Sequence, residues 1–152
     1  MANSRKEPCV IPGQTAVDDR GQLSFAQGFN FEGVRRFYIV ENFATNIIRA
    51  FHGHLQEEKH VLAVAGSALV LVAQLDDSAL PFEHANLRRY VLSARHPSIL
   101  CIPAGYANGF RALEPGTKLV FFSTATLEES LKDDYRFPFD RWGTHVWDVQ
   151  NR

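Results

Sequence analysis

Three side chains that could take part in proton transfer lie close together in the first half of the chain. His52 and His54 are separated by one residue, and Lys59 follows shortly afterwards. A neutral imidazole can accept a proton near neutral pH, because its ordinary pKa is about 6.5. An ammonium group has three donors and no lone pair, so it can stabilise an oxyanion but cannot bind a metal ion. These residue types suit the removal of a proton next to a ketone, which needs a base and a positive charge at the enolate oxygen.

Short apolar or alternating runs between turn signals indicate the elements that would carry these groups. Such runs are typical of strands, and they fall at Phe37 to Val40, Ile47 to Phe51, Val61 to Val64, Ala68 to Ala73, Tyr90 to Leu92, Ile99 to Ile102 and Leu119 to Phe122. Turn residues such as Ala65-Gly66, Asp76-Asp77-Ser78 and Glu114-Pro115-Gly116 separate them. Many short strands with few helical patterns predict an all-β sandwich or barrel. One short helix is predicted over Thr126 to Lys132, with Thr126 as a cap.

The bulk composition predicts one well-packed domain. The chain has 152 residues, of which 45% are hydrophobic and 12% aromatic, enough to bury a substantial core. A net charge of -1 does not provide the excess positive charge that is typical of nucleic-acid-binding domains. No apolar stretch approaches the length of a membrane span, and the N-terminus lacks a signal-peptide pattern. We therefore expect a cytoplasmic protein without a nucleic-acid or membrane partner. Two cysteines, Cys9 and Cys101, are too few for a disulfide framework.

Strand alternation predicts which side chains share a face near the histidines. In a small barrel, successive side chains point alternately to the lumen and the exterior. We therefore expect His52 and His54 on one face with Ala50, and Arg49 on the other face with Phe51 and Gly53. Two histidines directed into one lumen would form a pocket for a small polar molecule.

The region around His52 resembles the metal-binding motif of cupin barrels with its ligands altered. Cupins have His-x-His followed by Glu and then Gly, and here Lys59 occupies the Glu position before Gly66. The second cupin motif, Pro-x-Gly-x-x-His, is matched by the segment 103–108, in which Asn108 replaces the histidine. The resemblance implies a single cupin jelly-roll domain over residues 1–152, with 1–17 as an N-terminal extension that is either a loop or a strand exchanged in a dimer. The altered ligands lead us to expect no metal and no other cofactor.

A closer resemblance is to the dTDP-4-dehydrorhamnose 3,5-epimerases, metal-free cupins that act on 4-keto nucleotide sugars. The matching segments run from about Asp18 to Trp142 and are Asp19-Arg20-Gly21, Arg49-Ala50-Phe51-His52, Gly105-Tyr106-Ala107-Asn108-Gly109-Phe110, and Asp133-Asp134 followed by Trp142. The resemblance implies a nucleotide-linked sugar as substrate. It also implies a homodimer in which the N-terminal strand crosses to the partner.

The same resemblance implies roles for individual residues. His52 would be the base and Lys59 the group that stabilises the enolate. Asp134, or its neighbour Asp133, would be the carboxylate that orients His52. Two arginines, Arg49 and Arg20, would bind the nucleotide diphosphate, and the crossing of the N-terminal strand would allow Arg20 to serve the neighbouring subunit's site.

The epimerases' general acid, which returns the proton, is replaced in this sequence. Epimerases have a tyrosine on the strand that here contains Phe121 and Phe122. The remaining candidates are His54, Tyr106 and a water molecule. Tyr106, Asn108 and Asp133 complete the predicted substrate-binding residues.

Three alternatives remain open from the sequence. The sugar-nucleotide 3,4-ketoisomerases carry Arg-Gly-x-His-x-His, which resembles Arg49 to His54, so ketone migration is the first alternative to epimerisation. A metal-dependent cupin would use His52 and His54 with Glu57 or Glu58. A non-catalytic sugar-binding cupin is the third alternative.

Overall fold

The fold consists of two five-stranded antiparallel sheets and one hairpin. A computed structural model describes residues 6–81 and 87–152. The first sheet has the order β1 (Cys9–Pro12), β9 (Ser98–Ile102), β6 (Lys59–Ala65), β11 (Lys118–Ser123), β4 (Arg36–Glu41). The second has the order β12 (Tyr135–Arg136), β5 (Ile48–His54), β10 (Tyr106–Ala112), β7 (Ser67–Gln74), β8 (Arg88–Ser93). The hairpin pairs β2 (Gln14–Asp18) with β3 (Gly21–Phe25). The predicted all-β fold is confirmed.

The predicted strands are all present, and the structure adds strands that lack a long apolar run. The most important addition is β10, which the sequence pattern conceals because Asn108, Gly109 and Arg111 interrupt its apolar residues. This strand lies at the centre of the second sheet, between β5 and β7. Its central position makes it buried despite its polar residues.

The hydrophobic core has two parts, one on each side of the second sheet. Alternate residues of β7, such as Val70 and Val72, join the cluster between the two sheets. Their neighbours Leu69 and Leu71 pack on the other side, against a cluster that includes Trp147. Because both faces of β7 are covered, its sequence is apolar at consecutive positions.

The C-terminal segment, which follows a short helix, covers the outer face of the second sheet. The helix α1 (Leu127–Lys132) begins after Thr126, which forms a capping box with Glu129. The predicted helix and its cap are therefore confirmed. A 3₁₀ turn, Thr144–Trp147, ends the covered region, and the Trp147 indole donates to the Phe139 carbonyl at 2.8 Å.

The N-terminal extension is divided between the first sheet and the hairpin. Strand β1 pairs with β9 of the same chain, with Cys9 opposite Cys101. Strand β2 instead belongs to the hairpin outside both sheets, where Val17 is 75% and Leu23 is 65% exposed. Residues 1–5 of the extension lie outside the described residues. No helix in the described part of the chain is long and apolar enough to cross a membrane.

Candidate active site

A cavity of about 260 Å³ opens between the two sheets. The first sheet contributes one wall, formed by Arg36, Tyr38, Val40, Lys59 and Phe121. The second sheet contributes the facing wall, formed by Arg49, His52, His54, Asn108 and Phe110. Asp134 and Arg136, from the segment after α1, complete the lining beside His52. The cavity therefore brings together most of the residues that the sequence predicted.

A β-bulge explains why Arg49 shares the cavity with the histidines. Asn108 pairs with His52 and Phe110 pairs with Arg49, so two residues of β5 lie opposite Gly109 alone. The extra residue reverses the alternation at that point. The expectation that Arg49 and His52 lie on opposite faces was therefore wrong, because it assumed a regular strand. Gly109 permits the close approach, since a Cβ added there would lie 2.3 Å from the Cβ of Ala50.

His52 lies between the cavity and an acidic residue. Its Nδ1 lies 3.7 Å from Oδ1 of Asp134, and its side chain is 38% exposed. Asp134 accepts a hydrogen bond from Nε of Arg136 at 2.9 Å. Burial lowers the pKa of His52, while the charge of Asp134 opposes that shift. With Nδ1 facing the carboxylate, Nε2 is the ring nitrogen available to a molecule in the cavity.

Lys59 is held against His54 in the interior. Its Nζ lies 2.8 Å from Nε2 of His54, and Lys59 is only 7% exposed. Nδ1 of His54 lies 2.6 Å from the backbone carbonyl of Asp133. Because an ammonium can only donate, the network assigns the ring proton to Nδ1 and the lone pair to Nε2. Burial lowers the pKa of both groups, and Glu57 opposes the shift at each.

Glu57 supplies the buried negative charge beside these two residues. Its carboxylate accepts hydrogen bonds from Ser123 at 2.6 Å and Ser130 at 2.7 Å, and lies 3.1 Å from Nδ1 of His54. Burial raises the pKa of Glu57, but Lys59 and the two serine hydroxyls outweigh it, so the pKa is lowered. The site therefore holds an ionised carboxylate close to the amine of Lys59.

The two neighbouring aspartates have separate positions. The Asp133 carboxylate accepts hydrogen bonds from the backbone amides of Leu55 and Gln56, each at 2.8 Å, and of Glu57 at 3.1 Å. It is buried and does not line the cavity described above. Asp134 is thus the aspartate near His52. The structure does not place the Asp133 carboxylate where a substrate would contact it.

Arg49 and Asn108 lie on the cavity wall with partners of their own. Nε of Arg49 donates to Oδ1 of Asn42 at 2.8 Å, and Asn42 in turn donates to the Ile47 carbonyl. Nδ2 of Asn108 lies 3.5 Å from the backbone carbonyl of His52. The guanidinium of Arg49 is thereby oriented without being neutralised by an acidic partner in this network.

Two predicted residues lie away from the cavity in this chain. Tyr106 is 2% exposed and belongs to the hydrophobic cluster between the sheets. The side chain of Arg20 is 86% exposed and pairs with Asp18 at the turn of the hairpin. Neither lines the cavity beside His52.

Several lining residues were missed by the sequence analysis. Arg36, Tyr38 and Val40 alternate along β4 and face the cavity, whereas Phe37 and Ile39 face outwards. Their period of two was the available signal, but it could not show which face was internal. Within residues 6–81 and 87–152, no group of three or more His, Cys, Asp or Glu side chains could hold a metal ion.

One curated relative shows similarity over part of the chain, and no family model matches. The relative is the spore coat polysaccharide biosynthesis protein SpsL of Bacillus subtilis (strain 168), which is 27% identical over 95 residues. That match covers 62% of this chain and 62% of SpsL.

Solved structures of nucleotide-sugar enzymes share the fold over nearly the whole chain. The dTDP-4-dehydrorhamnose 3,5-epimerase of Bacillus anthracis has a TM-score of 0.76 at 20% identity, covering 95% of this chain and 87% of its own. ChmJ, a 3'-monoepimerase of Streptomyces bikiniensis, has a TM-score of 0.75 at 15% identity, with 95% and 76% covered.

A ketoisomerase is also similar. QdtA, a sugar 3,4-ketoisomerase of Thermoanaerobacterium thermosaccharolyticum, has a TM-score of 0.65 at 17% identity, with 90% of each chain covered. The resemblance expected from the sequence is confirmed at the level of the fold: the chain has the all-β cupin architecture that these epimerases and ketoisomerases share.

Proposed function

We propose that this chain is an epimerase that moves a proton at a carbon next to the ketone of a nucleotide-diphosphate-linked 4-keto sugar. The observation that carries the proposal is the placement of His52, paired with Asp134, and the buried ammonium of Lys59 in one cavity. A base and a cation on one small cavity are what enolate chemistry needs.

In the proposed first step, Nε2 of His52 removes the proton. The electron pair of the broken C–H bond moves into the ring and leaves the negative charge on the former ketone oxygen. Asp134 keeps the imidazole oriented and stabilises the imidazolium that forms. The lowered pKa of His52 keeps the base neutral at physiological pH.

In the same step, Lys59 stabilises the enolate oxygen. One of its three N–H groups is directed at His54, which leaves the others for the substrate. Such a fixed donor contributes roughly 3 kcal/mol to the transition state. We therefore assign His54 to positioning the lysine rather than to the second proton transfer that the sequence analysis considered.

The substrate class is supported by charge in the cavity and by the similar structures. Three arginines, Arg36, Arg49 and Arg136, line the cavity, and guanidinium groups suit phosphate recognition. The Bacillus anthracis epimerase structure contains TDP and PPi, and the ChmJ structure contains dTDP-quinovose. We infer that a dTDP-linked deoxysugar is the first substrate to test, and that the reaction needs no cofactor.

The test is solvent exchange. Incubation with dTDP-4-keto-6-deoxyglucose in deuterium oxide should place deuterium at C3 or C5 and yield an epimer, both visible by proton NMR. His52→Asn should abolish exchange while it retains dTDP binding. His96→Asn is the matched control, since His96 is exposed on a turn. Absence of exchange in the unmodified protein with this and other 4-keto nucleotide sugars would contradict the proposal.

Ketone migration between C3 and C4 is the second candidate. The observation that favours it is the second histidine of the Arg49-x-x-His52-x-His54 motif, which also lines the cavity. The two reactions share the first proton transfer and differ in where the proton returns. Carbon NMR of the product separates them, because only ketoisomerisation moves the carbonyl signal to another ring carbon.

The metal-dependent alternative would require His54 to change partners. Its Nε2 faces Lys59, and the Glu57 carboxylate is bound by Ser123 and Ser130. Elemental analysis of protein purified without chelator tests this alternative, and stoichiometric iron, manganese or zinc would favour it. The non-catalytic alternative predicts dTDP-sugar binding without turnover.

We further propose that the chain forms a homodimer in which the hairpin of one subunit reaches the partner's cavity. The hairpin lies outside both sheets and exposes apolar Val17 and Leu23 beside Arg20. A mixture of Arg20→Ala and His52→Asn chains should regain activity after subunit exchange, because one site of each mixed dimer would have both residues. No recovery, despite a dimer by light scattering, would place Arg20 outside the partner's site.

A further inference from the structure

The two cysteines of the chain, Cys9 and Cys101, lie directly opposite each other on neighbouring strands. Cys9 is the first residue of β1, which is the edge strand of the first sheet, and Cys101 belongs to β9 beside it. Residues that face each other across an antiparallel ladder point to the same side of the sheet. The two thiols therefore lie side by side, although their positions are far apart in the sequence.

The hydrogen-bond pattern of the ladder gives this pair the separation that a disulfide needs. The amide of Gly13 donates to the carbonyl of Pro97 at 2.8 Å, just beyond the end of β1. Hydrogen-bonded pairs recur at every second residue of an antiparallel ladder, so Cys9 and Cys101 also form one. Cα atoms in such a pair are about 5.5 Å apart, and disulfides span Cα separations of roughly 4.4–6.8 Å. Because β1 has a strand on one side only, small adjustments are open to it.

The two thiols differ in their access to solvent. Cys9 is exposed, whereas Cys101 is half-buried. Burial, the charge of a Cys9 thiolate and a hydrogen bond to Cys9 together raise the pKa of Cys101 to about 12. Cys9 is therefore the thiol that a dissolved reagent meets first, while Cys101 stays protonated beside it.

The cysteine pair lies on the face of the first sheet that points away from the cavity. Cys101 is opposite His60 of β6, and the next residues along the two strands, Ile102 and Lys59, are opposite each other. Lys59 lines the cavity. Because successive residues of a strand point to opposite faces, Cys101 and His60 point outwards. A bond between the cysteines would therefore leave the cavity lining in place.

A bond at Cys9 would act on the position of the hairpin. Strand β1 ends at Pro12 and β2 begins at Gln14, so a single residue connects them. Three of the four residues of β1 are exposed, which makes the backbone ladder with β9 its main attachment. A covalent bond to β9 would therefore fix the base of the hairpin that carries Arg20.

We propose that Cys9 and Cys101 are a redox modification site, at which exchange with a low-molecular-weight disulfide forms a reversible bond that fixes β1 to β9. With glutathione disulfide, the Cys9 thiolate attacks one sulfur, the glutathione S–S bond breaks, and one glutathione leaves and takes up a proton. Cys101 then gives up its proton and attacks the Cys9 sulfur, which releases the second glutathione as a thiol. Two protein thiols are oxidised and one glutathione disulfide is reduced. The inference does not depend on the proposed epimerase function.

The test is mass spectrometry of the folded protein after incubation with glutathione disulfide. We expect each chain to lose two hydrogen atoms, a digest to contain a peptide that joins Cys9 to Cys101, and dithiothreitol to restore both thiols. A non-reducing gel should show no covalent dimer. The melting temperature should rise by about 5 °C or more, because the bond closes a long loop of the chain.

Two single variants are the matched controls. Cys101→Ser should accumulate a lasting mixed disulfide between Cys9 and glutathione, because the second thiol is missing. Cys9→Ser should stay largely unmodified, because Cys101 is half-buried. In urea, the unmodified sequence should form the joined peptide on the order of 10-fold more slowly or less, because the unfolded chain must first close a long loop.

Each of the following results would overturn the assignment. Unreacted thiols, or a mixed disulfide at Cys9 that persists in the unmodified sequence, would show that Cys101 does not reach its partner. A bond between the Cys9 residues of two chains would make exposure the cause of reaction. Equal rates in urea and in buffer would show that strand pairing does not bring the thiols together. An unchanged melting temperature in the oxidised protein would show that the bond does not fix β1.

Discussion

The ammonium of Lys59 donates to Nε2 of His54 at 2.8 Å, in an interior position where each side chain is less than 10% exposed. This contact uses the imidazole lone pair that a catalytic base would need. Lys59 in turn gains an acceptor that favours its charged form against the effect of burial. The relationship makes His54 a positioning residue for the proposed enolate stabiliser.

Replacement of His54 should therefore act through Lys59. His54→Leu removes the acceptor, so the pKa of Lys59, which burial already lowers from its ordinary value of 10.5, should fall further. If activity requires charged Lys59, the alkaline limb of the pH–rate profile should move to lower pH. His54→Gln retains an acceptor and serves as the control. An unmoved alkaline limb in His54→Leu would contradict the positioning role.

The pairing of His52 with Asp134 predicts the acidic limb of the same profile. Burial lowers the pKa of His52 from its ordinary value of 6.5, and Asp134 opposes the shift. A base that must be neutral loses activity as pH falls through its pKa, so the limb should lie below 6.5. Asp134→Asn removes the opposing charge, and the limb should move to still lower pH while kcat falls. A limb that moves upwards would mean that another group titrates.

The Asp133 carboxylate should contribute mainly to stability. Its three hydrogen bonds to backbone amides, one buried and two half-buried, are lost in Asp133→Ala, which leaves the amides without their acceptor. We expect the free energy of unfolding to fall by about 3 kcal/mol, measured by urea denaturation. Asp140→Ala, at an exposed aspartate, should change it by less than about 0.5 kcal/mol. Unchanged stability with lost substrate binding would restore Asp133 as a binding residue.

Position 109 should not accommodate a side chain as long as residue 50 is alanine. In Gly109→Ala the new Cβ would lie 2.3 Å from the Cβ of Ala50 and 2.9 Å from its Cα, so β5 and β10 must separate at the bulge. We expect a lower melting temperature and weaker dTDP binding, since Arg49 and His52 lie on either side of the displaced residues. Adding Ala50→Gly removes the closer contact and should restore part of the loss. A stable single variant would show that the strands adjust easily.

The sequence was most informative where local patterns determine the structure. Apolar runs predicted seven of the ten strands described in the two sheets, and the cap at Thr126 predicted the helix. The resemblance to the cupin motif implied that His52, Lys59 and Asn108 would share a cavity, and they do. These features depend on residues that are neighbours in the chain or in an adjacent strand.

The rest depends on contacts that no local pattern encodes. Regular alternation placed Arg49 on the wrong face, because the bulge at Gly109 is visible only when β5 and β10 are paired. Tyr106 was predicted to bind substrate but lies in the core, whereas Tyr38, on a strand that resembles one in the ketoisomerases, was assigned no role but lies in the cavity. Which of two adjacent aspartates faces His52 likewise depends on the path of the segment after α1.

The hydrogen bonds that the Asp133 carboxylate accepts connect two regions that are distant in the chain. They tie the segment that carries Asp134 to the amides of residues 55–57, directly before the strand that begins with Lys59. The proposed base and the proposed enolate stabiliser therefore both depend on the hydrogen bonds of Asp133. A substitution at Asp133 or in residues 55–57 should therefore displace Asp134 and Lys59 together. A mutational screen would record the result as a loss of activity, although these positions do not line the cavity.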